Sequence, residues 1–220
     1  NLTFIVTGAG VIVVNAGAAN ILAQALHEEI KQITTEPVVL VINENGQGHA
    51  MLGNSYWVDQ GVPVLAHADA AHEFEERSFQ ILEHMKRYNR EKSKGSRIQG
   101  PTQTFKDHYN VEIGAFRIEV LYLGPSHSPG DVTVWLPDQE LVIAGDMAFH
   151  ERMLPIFPEW ALHISICQCV ISKCNHCICC LVATNCDCNR NCCSIGSSIS
   201  ICDRPREVLC VRVTRRLGRA

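Results

Sequence analysis

Residues Val38–Ile42 are five consecutive apolar residues, four of them β-branched, followed at once by the polar stretch Asn-Glu-Asn-Gly-Gln-Gly-His. A run this short and this branched is a buried strand rather than a helix. Loops that leave the ends of buried strands are where proteins gather functional side chains. Similar runs recur along the first two-thirds of the chain. Residues 2–7 and 10–15 read as a hairpin around a glycine turn, and residues 63–66, 116–122, 132–136 and 141–144 as further short strands. Two stretches have helical spacing instead. Asn20 is a candidate N-cap for a helix to about residue 33, with Ile21, Leu22, Ala25, Leu26 and Ile30 on its apolar side. A longer polar helix is expected over residues 70–92, with Phe74, Phe79, Ile81, Leu82 and Met85 facing inward. A basic, glycine-containing connector covers residues 92–101. Strands and helices mix without strict alternation, so the expected fold class is α/β or α+β layering, not a doubly wound parallel sheet. No internal repeat is visible in residues 1–160.

Composition matters chiefly because it breaks. All 12 cysteines lie at or after Cys167. Residues 1–160 carry 11 Lys and Arg against 20 Asp and Glu, a net of −9, whereas residues 161–220 carry 8 against 3, a net of +5. Two compositions this different rarely share one fold. The expected organisation is a domain over residues 1–160 and a cysteine-rich basic tail over residues 161–220. At 220 residues the chain has room for one ordinary core plus an appendage. No apolar run approaches the ~18 residues of a membrane span. Nothing at the start has the basic, apolar and small-residue order of a signal peptide, so a soluble protein is expected and its compartment is open. Neither nucleic acid nor a membrane is an expected partner, and the oligomeric state is open.

Three stretches then carry a resemblance: Phe-Ile-Val-Thr-Gly-Ala-Gly-Val-Ile-Val-Val-Asn-Ala-Gly (4–17), Val-Ile-Asn-Glu-Asn-Gly-Gln-Gly-His-Ala-Met-Leu-Gly-Asn (41–54), and the segment from Gly124 to His150 that begins Gly-Pro-Ser-His-Ser-Pro-Gly-Asp. In order and spacing they resemble the metallo-β-lactamase superfamily over roughly residues 1–158. The resemblance implies an αββα sandwich with one or two zinc ions at the sheet edge. It also implies hydrolysis of lactams, thioesters, esters or phosphodiesters, with a small molecule as substrate. It speaks to fold more strongly than to function.

The family loop reads His-x-His-x-Asp-His after a strand ending in Asn-Thr. Imidazoles and a carboxylate suit zinc, and a tight loop aims them at one point. Zinc in turn lowers the pKa of water towards neutrality. Laid on this chain without a gap, the four positions fall on Asn45, Gln47, His49 and Ala50. An amide oxygen is a weak zinc ligand and a methyl group is none. The family's Asp-Thr-Gly turn appears as Asn15-Ala16-Gly17, another carboxylate lost. His127 matches the family's third histidine and Asp146 its bridging carboxylate. The resemblance therefore leaves His127, Asp146 and the displaced imidazole of His49 as metal ligands, with weak or absent zinc binding expected. Taken singly, His49 reads as a solvent-facing loop residue, Asn45 and Gln47 as inert, and His67, His72, His84 and His108 as surface or helix-face residues. The family's last histidine has no counterpart: His163 and His176 have the wrong neighbours.

Ten cysteines crowd residues 167–193 in C-x-C, C-x-x-C and C-C spacings. They fit a soft-metal thiolate cluster, a disulfide framework, or a segment that is not a native continuation of the domain. The abrupt change of composition favours the last. Three functions follow: a zinc-hydrolase relative with weak or lost activity, a non-catalytic binding or scaffold protein using the old pocket, and a thiol-rich metal-binding protein acting through its tail.

Overall fold

In the computed structural model, which describes residues 2–147, the first apolar runs pair as expected. Strand β1 (Thr3–Val6) and strand β2 (Val11–Val14) form an antiparallel hairpin. Helix α1 (Asn20–Ile33) then crosses over to β3 (Val38–Ile42), which lies parallel to β2. Two short helices, α2 (Gly48–Met51) and α3 (Asn54–Asp59), lead to β4 (Val64–His67), parallel to β3. The long helix α4 (Ala68–Asn89) and a 3-10 turn (Arg90–Ser93) return the chain to β5 (Gln103–Phe105), parallel to β4. These five strands make one mixed sheet in the order β1-β2-β3-β4-β5. The next four, β6 (His108–Ile113), β7 (Phe116–Tyr122), β8 (Val132–Leu136) and β9 (Leu141–Ile143), make an antiparallel sheet in chain order.

Alternation along the strands assigns their faces. Ile5, Ile12, Val14, Leu40, Ile42 and Leu65 from the first sheet meet Ile118, Val120, Val132, Val134 and Leu136 from the second in the central core. On the other face of the first sheet, Phe4, Val11, Val13, Val41 and Val64 pack under α1 and α3 through Ala23, Leu26, Ile30 and Trp57. A third cluster joins α2 to α4 through Ala50, Met51, Leu52, Phe74 and Leu82. The described residues thus supply a helical layer and two facing sheets of the αββα sandwich.

Several expectations need correction. Asn20 is the first residue inside α1, not its cap. Ala19 is the cap position, the Asn20 N–H donates to Ser96 Oγ at 3.0 Å, and the Asn20 amide donates to Gly95 O at 2.9 Å. The connector around residue 95 therefore does what a capping side chain would. Helix α4 starts two residues before position 70 because His67 caps it, accepting the Asp69 N–H at Nδ1. His67 is buried, stacked on Tyr122 at a centroid distance of 3.7 Å and bonded through Nε2 to Lys106 O, so it is no surface residue. Phe79 is 69% exposed and does not belong to the inward side of α4. Strands β5 and β6 were not anticipated: β5 is only three residues long, and β6 alternates half-buried with exposed positions, so neither forms a continuous apolar run. The tail from residue 161, with its cysteines, His163 and His176, lies outside the described residues.

Candidate metal centre

The site sits where the two sheets meet at the exit of β3. Four segments build it: Asn15 after β2, residues 43–51 after β3, residues 124–131 between β7 and β8, and the 3-10 turn Gly145–Met147 after β9. Backbone and amide bonds lock the main loop. The Asn43 amide nitrogen donates to Ala50 O at 2.8 Å and to Asn54 Oδ1 at 3.0 Å, while the Asn54 amide donates back to Asn43 Oδ1 at 3.1 Å. These buried donors and acceptors satisfy one another, which is what a buried polar network needs to be stable. Asn15 sits at φ 71°, in the left-handed region that asparagine tolerates, and its Oδ1 accepts the Glu44 N–H at 3.0 Å. The carboxylate missing from that turn is thus replaced by an amide with a structural task. From the second sheet, the Val132 N–H donates to Glu44 O at 2.8 Å.

Within this frame His127, Asp146 and His49 come together. His127 Nε2 lies 3.8 Å from Asp146 Oδ2, and His49 Nε2 lies 3.3 Å from the same oxygen. His49 is not a solvent-facing loop residue. It belongs to α2, is one-third exposed, and its Nε2 is also 2.9 Å from Glu44 Oε1. Burial opposes a charge on His49, but the Glu44 hydrogen bond and charge, aided by Asp146, outweigh it and raise its pKa. Asn45 is not inert either: it is fully buried, and its amide nitrogen donates to Asp146 Oδ2 at 3.3 Å. Its oxygen accepts the Gln47 N–H at 3.0 Å. Ala50 is completely buried against α4 and offers no ligand atom.

Behind the loop stands Asp131, buried and accepting both the N–H and the hydroxyl of Ser128. Burial pushes its pKa from 3.8 up to about 7, against the lowering effect of the Ser128 and Asn45 hydrogen bonds. Glu73 on α4 is also raised by burial, with Arg77 and Ser128 pulling the other way.

The residue that sequence reasoning missed is Glu44. It lies one place before the first family ligand position, where the pattern offers threonine, and a lone glutamate in a loop gives no signal of its own. In the structure, Glu44, His49 and Asp146 each present one ligand-type atom, all within 4.8 Å of one another. One imidazole and two carboxylates suit a divalent cation in donor type, although they are not the imidazole-rich set of the family loop. Such a cation would be held by Glu44, His49 and Asp146, with His127 beside them.

Comparison with known proteins accords with this architecture. The pattern of the metallo-beta-lactamase superfamily matches residues 51–167, more than half of the chain, and its match opens immediately after the loop with the altered ligands. Among solved structures, a metallo-beta-lactamase from Pontibacter korlensis superposes with a TM-score of 0.57 at 21% identity, over 68% of this chain and 61% of that one. The metallo-beta-lactamase IND-7 gives 0.52 at 22% identity, over 71% and 64%. The DIM-1 metallo-beta-lactamase exposed to ceftazidime gives 0.54 at 16%, over 68% and 59%. The chain therefore spans less than two-thirds of each of these relatives, and at such identities the likeness speaks for the fold. Sheet order, loop placement and the matched span agree: this chain belongs to the metallo-β-lactamase superfamily.

Proposed function

We propose that the chain is a relative of zinc-dependent hydrolases whose hydrolysis of lactam, thioester or ester bonds is weak or lost. One observation carries the reading. At the first family ligand position, Asn45 turns an N–H towards Asp146 Oδ2, so a position that should supply an imidazole to the metal supplies a hydrogen-bond donor instead. The position of Ala50 has no donor, and Gln47 has only an amide. Zinc, when held, lowers the pKa of water from about 15.7 to about 7. Without that activation the pocket has polar groups but no evident source of a nucleophile at neutral pH. Ser126 and Ser128 flank His127, yet the Ser128 hydroxyl is engaged with Asp131.

The test is turnover of lactam, thioester and ester substrates by protein purified with added zinc, with a chelator control. Rates near the uncatalysed reaction, unchanged by chelator, are expected. Robust chelator-sensitive turnover by homogeneous protein would overturn the proposal.

A further inference from the structure

We propose that Glu44 has taken over as a metal ligand, so that the pocket holds a single divalent cation between Glu44 Oε1, His49 Nε2 and Asp146 Oδ2. The inference rests on the reading that Asn45, Gln47 and Ala50 no longer supply ligands, and adds what stands in their place. Geometry is the first argument. Two atoms bound to one ion at about 2.1 Å are separated by roughly 3–3.5 Å. The observed separations, 2.9 Å from His49 to Glu44 and 3.3 Å from His49 to Asp146, are of this size. The three atoms all lie within 4.8 Å of one another.

Fixation is the second argument. Glu44 is pinned on both sides of its Cα, by Asn15 Oδ1 on its N–H and by the Val132 N–H on its carbonyl. Its carboxylate lies directly against Gly145, where an added Cβ would meet Glu44 Oε2 and would have to displace it. Gly145 has a φ of +58°, so side chains are disfavoured there on backbone grounds as well. The Glu44 carboxylate thus packs against the turn that carries Asp146.

Donor chemistry is the third. Two carboxylates and one imidazole form a harder set than three imidazoles, and carboxylate-rich sites suit Mn²⁺. Thiolates prefer softer ions, so Mn²⁺ reports on this pocket even in the full chain with its 12 cysteines.

The experiment titrates the full-length protein, kept reduced, with Mn²⁺ and follows loss of the free-ion electron paramagnetic resonance signal, with calorimetry in parallel. One Mn²⁺ per chain is expected. Glu44→Gln should raise Kd at least tenfold, and His49→Gln should do the same, whereas Gln47→Ala should change it less than threefold. His49→Gln serves as the second variant should Glu44→Gln fail to fold by circular dichroism. Failure of the wild-type chain to bind Mn²⁺, or binding indifferent to both Glu44 and His49, would overturn the inference. The triad would then be an ion-paired histidine, and the reading of a weakened hydrolase site would stand. Two tightly held zinc ions sensitive to Gln47 would instead remove that reading itself.

Discussion

Asn45 and Asp131 show how one substitution rewires a pocket at the scale of single residues. The amide at position 45 meets two carboxylates: it donates to Asp146 Oδ2, and its hydrogen bond to Asp131 lowers that group's pKa. The lowering is incomplete, because burial still holds Asp131 near 7 against an ordinary value of 3.8. A carboxyl whose folded pKa lies above its unfolded one stabilises the fold only while it is protonated. That contribution is full below about pH 3.8 and is lost as pH rises through about 7. Asp131→Asn keeps an acceptor for the Ser128 N–H and removes the titration. Across pH 4–7 the wild-type chain should lose up to about 4 kcal/mol relative to the variant. Urea midpoints at pH 4.5 and 7.5 check this, and parallel pH profiles for the two proteins would show that Asp131 is already ionised in the fold. What sequence could show at this scale was which ligands are absent. What it could not show was that Glu44, silent in the family pattern, lies beside His49 and Asp146, the latter about a hundred residues away along the chain.

At the scale of elements, the start of α4 is the support on which both site loops rest. A Cβ added to Gly46 would stand 2.6 Å from Ala70 O, and one added to Gly130 would stand 2.2 Å from Ala70 N. The loop after β3 and the loop before β8 thus touch the same residue from two directions, and glycine at each position permits the approach. His67, capping α4 and stacked on Tyr122 of β7, fixes that support against the second sheet. Gly46→Ala and Gly130→Ala should each cost about 1–3 kcal/mol by overpacking against backbone. Gly100→Ala, where nothing lies within 4 Å of the added carbon, should be neutral to about 0.5 kcal/mol. Chemical denaturation of the three variants settles it, and equal midpoints would mean that the loops do not lean on α4. Strands such as Val38–Ile42 were legible because burial on both faces leaves a continuous apolar run. β6 was not, because its half-buried alternation of Tyr109, Val111 and Ile113 with polar neighbours resembles a loop until β7 pairs with it. Asn20 misled for a related reason: the group that meets the helix start, Ser96, arrives from far along the chain.

At the scale of the whole molecule, neither sheet holds the site alone. The first sheet contributes Glu44 and His49 through the loop after β3. The second contributes His127 and Asp146 through loops on either side of β8 and β9. Only the packed interface between the sheets keeps the two halves in register, with Val132 N–H to Glu44 O as a direct link at its rim. The presence of a loop at this sheet edge could be read from the three matched stretches. The closeness of its side chains could not, because it depends on the apolar interdigitation of two sheets. Ile118 lies fully buried in the middle of that interface. Ile118→Ala removes three carbons and leaves a cavity between β7 and the first sheet, at a cost of about 2–5 kcal/mol depending on collapse. If the sandwich unfolds as one unit, the urea transition should move to lower concentration yet stay single. It should also coincide whether followed by far-ultraviolet circular dichroism or by tryptophan fluorescence, to which Trp57 contributes beneath α1 and Trp135 from β8. Separate transitions by the two probes would mean that the sheets melt independently, and that the site can come apart while each sheet survives.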